Sequence, residues 1–206
     1  VVISTGPLTG TGAPSSSRFN LSTLSPQTGI ITSSNCGGSF GYYLKKAGMD
    51  ALIIKGKCPE HTWLEIHNDK FIFHNADALW GMKTTETQDA LADILSGRKN
   101  KKAHFGRLCI GPAGENLVLY SAVVSEERAG GRTGVGAVFG WKNLKAITVT
   151  GTKTVPVYDR EKSAAWCKKW ISYLQNHPLT GSQLPKLGTA GLVSSMQMHG
   201  LLSTKN

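Results

Sequence analysis

The sequence has no C-x-x-C pair: its four cysteines, Cys36, Cys58, Cys109 and Cys167, stand 22, 51 and 58 residues apart. That spacing excludes a zinc ribbon or an iron–sulfur cluster held wholly by these residues. Three of the four thiols fall in apolar or glycine-rich segments, which suits buried thiols in a reducing, cytoplasmic compartment. Long hydrophobic runs are missing as well. None approaches the roughly 18 residues of a membrane span, so no bilayer crossing is expected. There is no G-x-x-x-x-G-K-[ST], no G-x-S-x-G and no H-E-x-x-H, and Gly134-Val135-Gly136 is followed by Gly140, one residue late for a dinucleotide fingerprint. The six histidines never pair at helical ligand spacing. The opening Val1-Val2-Ile3-Ser4-Thr5 has no initiator Met and no leader and reads as a strand already under way. The last residues follow a helical stretch without a stop, so a fragment cut at both ends is expected.

Charged residues are sparse, at 17%, against roughly 25% in ordinary globular chains. Glycine is abundant, 24 of 206 residues, and the length suits one large domain, or one domain and part of another. The formal net charge of +10 admits nucleic acid, an acidic membrane face or a phosphorylated small ligand as partner. The densest basic run, Arg98-Lys99-Asn100-Lys101-Lys102, has no aromatic platform beside it and reads as a solvated loop. A basic nucleic-acid-binding module therefore stands only as a rival of another class, and no nucleic-acid partner is expected.

Periodicity and punctuation predict short strands from Ile3, over Arg18–Leu24, over Thr28–Ser33 and over Ala51–Ile54, with a helix over Ser39–Ala47 stopped by Gly48. A hairpin is expected from Trp63–His67 and Phe71–His74 around Asn68-Asp69. Thr85–Leu95 reads as an amphipathic helix with Leu91, Ile94 and Leu95 inward. Further strands are expected over Leu108–Ile110, Leu117–Val124 and Leu144–Val149, and a small-residue helix over Thr133–Phe139. From about Asp159 the character changes. A helix over Asp159–Leu174, with Ala164, Ala165, Trp170 and Ile171 inward, precedes a second over Gly188–Met198. The boundary is placed between residues 155 and 156, giving a first domain of 1–155 and the start of a helical second domain over 156–206.

Two stretches repeat one order of events. The first runs from a strand through Gly6-Pro7, Arg18, Asn35-Cys36-Gly37-Gly38 and a helix to Ala51-Leu52-Ile53-Ile54. The second runs from a strand through Gly111-Pro112, Arg128-Ala129-Gly130-Gly131-Arg132 and a helix to Ala146-Ile147-Thr148-Val149. Each half is expected to present a glycine-rich turn at a helix N-terminus, where free amides and the helix dipole favour an anion. Arg18, Arg128 and Arg132 would add bidentate phosphate contacts. The alternative is that these glycines only let helix and strand pack closely. Glu126-Glu127 reads as a solvated strand end rather than a catalytic pair.

Several runs together resemble the tungsten-dependent aldehyde ferredoxin oxidoreductase family. They are Thr5-Gly6-Pro7-Leu8-Thr9-Gly10-Thr11-Gly12-Ala13-Pro14, Arg18, Ser25-Pro26, Thr28-Gly29, Asn35, Gly37-Gly38, Phe40-Gly41, Leu44-Lys45, Ala47-Gly48 and Leu79-Trp80-Gly81. They continue through Thr85-Glu86-Thr87, Ile110-Gly111-Pro112-Ala113-Gly114-Glu115-Asn116-Leu117-Val118, Gly134-Val135-Gly136-Ala137-Val138 and Lys142-Asn143-Leu144-Lys145-Ala146-Ile147. Leu184-Pro185-Lys186 and Gly188-Thr189-Ala190 extend the likeness into the second domain. The resemblance implies an α+β fold in which two pseudo-symmetric sheet-and-helix modules form a saddle. It implies that Arg18, Asn35, Gly37, Arg128, Ala129, Gly131 and Arg132 contact a tungsten–bispterin cofactor, with the Asn35 and Ala129 carbonyls as magnesium ligands. Where relatives often read Asn-Asp-Gly-His before the second arginine turn, this chain has Ser125-Glu126-Glu127.

The activity so implied is oxidation of an aldehyde to a carboxylate, with electrons passing through a 4Fe-4S cluster, held beyond these residues, to ferredoxin or another iron–sulfur electron-transfer protein. The family's catalytic acid and base groups also lie in later domains, so no catalytic residue is expected here. A homo-oligomer is left open. The rival within the family is a reductive member acting on an aromatic acyl-CoA thioester.

Overall fold

The expected repeat is visible as a repeat of topology. In the computed structural model, which describes residues 1–97 and 104–202, three antiparallel strands, a glycine turn, a short helix and a fourth strand occur twice in the same order. The first copy is β1 (Val2–Thr5), β2 (Phe19–Leu24), β3 (Ile31–Cys36), α1 (Phe40–Lys46) and β4 (Ala51–Ile53). After it come the hairpin β5 (Thr62–His67) and β6 (Lys70–Asn75) and the helix α2 (Thr84–Gly97). The second copy is β7 (Gly106–Cys109), a one-turn helix α3 (Pro112–Glu115), β8 (Val123–Ser125), β9 (Arg128–Gly130), α4 (Val135–Trp141) and β10 (Leu144–Thr150). The first sheet has the order β3-β2-β1-β4, and the second has β6-β5-β10-β7-β8-β9, so β9-β8-β7-β10 reproduces it.

The register fixes which residues are equivalent. Across the first sheet, Asn35, Asn20, Ser4 and Ala51 lie in one row. Across the second, the matching row is Ala129, Val124, Cys109 and Ala146. Gly6-Pro7 and Gly111-Pro112 then fall at the same place after the first strand of each copy. Asn35 and Ala129 are thus counterparts. Apart from β5 against β10, which are parallel, every strand pair is antiparallel.

Burial of alternate residues explains the layering. Ile3, Phe19, Leu21, Cys36 and Leu52 of the first sheet share one core with Leu64, Ile66, Leu108, Ile110, Ile147 and Val149, joined by Phe40 and Leu44 of α1 and Phe139 of α4. Trp63, Cys109 and Ala146 point to the other face of the second sheet, where Leu91 and Leu95 of α2 cover them. Close packing needs glycine at specific points: a Cβ at Gly140 would lie 2.0 Å from the Gly114 carbonyl oxygen, so α3 and α4 touch backbone to backbone.

A buried ion pair ties this face together. Lys145 and Glu115, whose side chains are 0% and 4% exposed, form a salt bridge. Lys145 Nζ also donates to the Met82 carbonyl at 2.8 Å, and Glu115 Oε2 accepts from the Gly81 amide at 2.9 Å. Three of the recognised runs, those holding Gly81, Glu115 and Lys145, therefore meet at one structural joint.

Several expectations are corrected. Of the expected strand over 117–124 only Val123 and Val124 are strand, within β8, because α3 and a turn with Leu117 at φ +57° intervene. Ile94 is on the exposed side of α2, and Thr87 and Gln88 are buried in its place. The basic run at residues 98–102 lies outside the described residues.

The chain divides into two units, Val1–Pro156 and Val157–Asn206. In the second, α5 (Arg160–Asn176) starts where expected, with Asp159 accepting from the Lys162 amide at 2.8 Å as an N-cap. It buries no residue, and Trp170 and Ile171, expected inward, are exposed. After it come a π-helical turn at Pro178–Gln183, α6 (Leu184–Leu187), a 3-10 turn at Gly188–Gly191 and α7 (Leu192–Met198), so the second expected helix is shorter than read. Among the described residues no helix is long and apolar enough to cross a membrane.

Candidate functional site

The two repeats meet along β3 and β9. The Arg132 amide donates to Ser34 Oγ at 3.3 Å across the seam, and a Cβ at Gly130 would sit 2.5 Å from Leu21 Cδ1. This close approach brings the two glycine-rich turns side by side. A cavity of about 560 Å³ at the junction is lined by Arg18, Gly37, Arg128 and Ala129, with Ser15, Ser17, Gly38 and Glu127. Four of the seven residues expected to contact a ligand therefore wall one pocket. Asn35 is exposed on β3 just before Gly37, and Gly131 and Arg132 are exposed just after β9. These three flank the seam without lining that cavity.

The electrostatics favour an anion. Arg18 and Arg128 are exposed at the pocket, and among the described residues neither has a carboxylate within ion-pair distance. Ser15 and Ser17 add hydroxyls, and Glu127 is the one acid in the lining. Backbone also comes close: a Cβ at Gly37 would stand 3.2 Å from Arg128 Cγ.

The expectation that free helix N-termini supply the anion site is corrected. At α1 the carboxylate of Glu126 is already in place, accepting from the Ser39 amide at 3.3 Å and from Ser39 Oγ. At α4 the Gly136 amide donates to the Ser121 carbonyl at 3.0 Å, and Gly134 is buried at φ +73° with a would-be Cβ 1.9 Å from the Leu119 carbonyl oxygen. At these positions the glycines serve close packing. The guanidinium groups of Arg18 and Arg128 and the strand-end backbone at Gly37 and Ala129 line the cavity.

Sequence reasoning passed over Glu126 and Gln88. Glu126 is half-buried rather than solvated, and it bridges the two repeats through Ser39. The signal was the Ser125-Glu126-Glu127 departure itself, a carboxylate beside an arginine turn. Gln88 is buried in α2, and its amide pairs with both backbone groups of Glu126. A second cavity of about 990 Å³, lined by Ser39, Tyr42, Gln88, Asp89, Arg107 and Glu126, adjoins the first and shares Ser17, Gly38, Glu127 and Arg128 with it.

The cysteines lie outside this chemistry. All four are free. Burial pushes the Cys36 thiol up to about 11, against the opposing pull of the Ser125 backbone hydrogen bond and the Arg18 charge. Burial pushes Cys109 up to about 12, opposed by Lys145 and Arg107. Native protein at pH 8 should therefore expose only Cys58 and Cys167 to a thiol reagent such as Ellman's reagent, with Cys36 and Cys109 reacting on unfolding. Because both folded values are raised above 9.0, the stability these thiols contribute is fully present below pH 9. It is lost progressively as pH climbs from 9 through 11 to 12, and a lower urea midpoint at pH 10 than at pH 7 tests the onset of that loss.

The geometry describes a duplicated α+β domain with an arginine-lined polar pocket where its halves meet. Residues 1–151 match the family model for the aldehyde ferredoxin oxidoreductase N-terminal domain, and the chain belongs to that family. It is 44% identical over its whole length to the tungsten-containing aldehyde ferredoxin oxidoreductases of Pyrococcus furiosus and Thermococcus kodakarensis, and covers 33% of each. The chain thus spans about a third of the length of these curated relatives. Among solved structures it is similar to the active-site complex BamBC of benzoyl coenzyme A reductase in complex with 1,5-dienoyl-CoA. That likeness has a TM-score of 0.78 and 36% identity, and covers 84% of this chain and 26% of that one.

Proposed function

We propose that residues 1–155 seat the cofactor of a tungsten–bispterin oxidoreductase, and that residues 156–206 begin its helical second domain. The observation that carries this reading is the meeting of the two repeats at one anion-favouring pocket walled by Arg18, Gly37, Arg128 and Ala129. The donor set fits a ligand with two phosphorylated halves. Guanidinium forks match phosphate oxygens bidentately, and glycine admits backbone close to the ligand. Carbonyl oxygens are the hard donors that magnesium takes.

In this reading Arg18, Arg128 and Arg132 neutralise the phosphates, and Gly37 and Gly131 clear space beside them. Asn35 and Ala129, counterparts in the two repeats, offer their carbonyls to one magnesium ion. When bound, tungsten supplies the two-electron centre for converting an aldehyde into a carboxylate; the chain's own residues position the cofactor and balance its charge. Ligands for the 4Fe-4S cluster, and the groups that exchange protons with substrate, are proposed to lie outside residues 1–206. Ferredoxin is the proposed one-electron acceptor, in the cytoplasm.

A reductive reading, with an aromatic acyl-CoA thioester as substrate, draws support from the likeness to the BamBC complex. The higher identity to the aldehyde oxidoreductases favours oxidation. Metal analysis and substrate profiling of the full-length protein test both. Tungsten, a pterin released on denaturation and turnover of aldehydes are expected. Protein with neither tungsten nor molybdenum, and no pterin, would overturn the cofactor reading, and turnover of aromatic thioesters alone would replace oxidation with reduction.

A further inference from the structure

We propose that Glu126 and Gln88 are positioning residues, which hold the two ligand-binding turns at a fixed separation; this rests on the phosphate-binding reading of the pocket. Glu126 stands at φ +55° in the turn between β8 and β9, a left-handed conformation that costs a residue with a Cβ. A side chain from outside both repeats stabilises it. The buried Gln88 amide of α2 takes up the peptide groups of Glu126 from both sides: Oε1 accepts from the Glu126 amide at 2.7 Å, and Nε2 donates to its carbonyl at 3.2 Å. Arg107 Nε donates to the same Gln88 Oε1 at 3.1 Å, which fixes the amide's orientation.

So held, the Glu126 side chain points into the other repeat. Its carboxylate accepts from the amide and hydroxyl of Ser39, the residue after Gly37-Gly38. The residues after Glu127 on its own strand are Arg128 and Ala129. One side chain therefore spans from the arginine turn of the second repeat to the glycine turn of the first. Gly38, at φ +90°, leaves no room for slippage, since a Cβ there would lie 2.8 Å from Ser125 Oγ and 3.2 Å from Glu126 Oε2. A ligand gripped by both turns needs their spacing set before it arrives, because ordering them on binding would weaken affinity. The connection between β2 and β3 in the first repeat supplies no equivalent carboxylate, so the tie is one-sided.

The test uses full-length protein expressed without tungstate, with magnesium pyrophosphate as probe, read by calorimetry, thermal unfolding and amide hydrogen exchange. Glu126→Gly tolerates φ +55° but lacks the carboxylate. It should keep its melting temperature within a few degrees, speed exchange at residues 37–39 and 128–129, and weaken pyrophosphate binding tenfold or more. Glu126→Gln keeps acceptor and donor for Ser39 and should restore near-wild-type affinity. If Glu126→Gly does not fold, Ser39→Ala, which loses only the hydroxyl contact, should weaken binding severalfold. Unchanged exchange, or faster exchange with unchanged affinity, overturns the positioning role alone. Failure of wild-type protein to bind pyrophosphate overturns both this role and the phosphate reading beneath it.

Discussion

Replacing Lys145 with methionine is expected to destabilise the protein by about 3–5 kcal/mol, the usual penalty for removing one partner of a buried ion pair. The Glu115 carboxylate is 4% exposed, and without the ammonium it would keep only the Gly81 amide at 2.9 Å. The Met82 carbonyl would lose its donor at the same time. For a chain of this size that loss corresponds to a melting temperature lower by about 6–20 °C. Glu115→Leu should cost comparably, because a buried ammonium would remain. The double variant Glu115→Leu with Lys145→Met should recover most of the loss, as paired apolar replacements of buried ion pairs do. Urea titration of the four proteins gives the coupling directly. Single-variant losses below about 1 kcal/mol would mean that the pair is solvated.

The second large effect is on ligand binding. Arg18→Gln and Arg128→Gln should each weaken retention of an anionic ligand by roughly ten- to a hundredfold, since hydrogen bonds to charged groups contribute about 1.5–3 kcal/mol. The side chains approach the pocket from different repeats and are exposed, so neither change should move the melting temperature appreciably. Together they should abolish loading, read as tungsten per chain after purification. Arg128→Lys should rescue only in part, because a lysine offers a point charge in place of a planar fork. Full loading of the double variant would remove the arginines from the account.

What the sequence revealed and what it hid divide along physical lines. The repeat was legible because Gly6-Pro7 and Gly111-Pro112, and the two glycine turns, punctuate both halves in the same order. The hairpin of β5 and β6 was legible because Asn68, at φ +53°, sits between two apolar runs. The β8 strand is shorter than its sequence suggests because Leu117-Val118-Leu119 looks like a strand by composition, whereas the backbone there turns back onto α3. The inward face expected of α5 differs for a related reason: its aromatic residues look like a core, but among the described residues of its unit none buries them.

Within the site, the arginine and glycine positions could be named because their chemistry is local. The tie made by Glu126 and Gln88 could not, because its partners are 38 and 87 residues apart in sequence and no spacing rule links a helix glutamine to a strand turn. Likewise, Lys145 reads as an ordinary lysine within an apolar run. Only the fold shows it buried against Glu115, which recasts three recognised motifs as a structural joint.

A crystal structure of the loaded full-length protein is the most direct measurement. It should show one bispterin cofactor with a phosphate against each turn, within hydrogen-bond reach of Arg18 and Arg128, and one magnesium ion facing the carbonyls of Asn35 and Ala129. Phosphates contacting only one repeat, or a cofactor seated away from the junction of β3 and β9, would contradict the account.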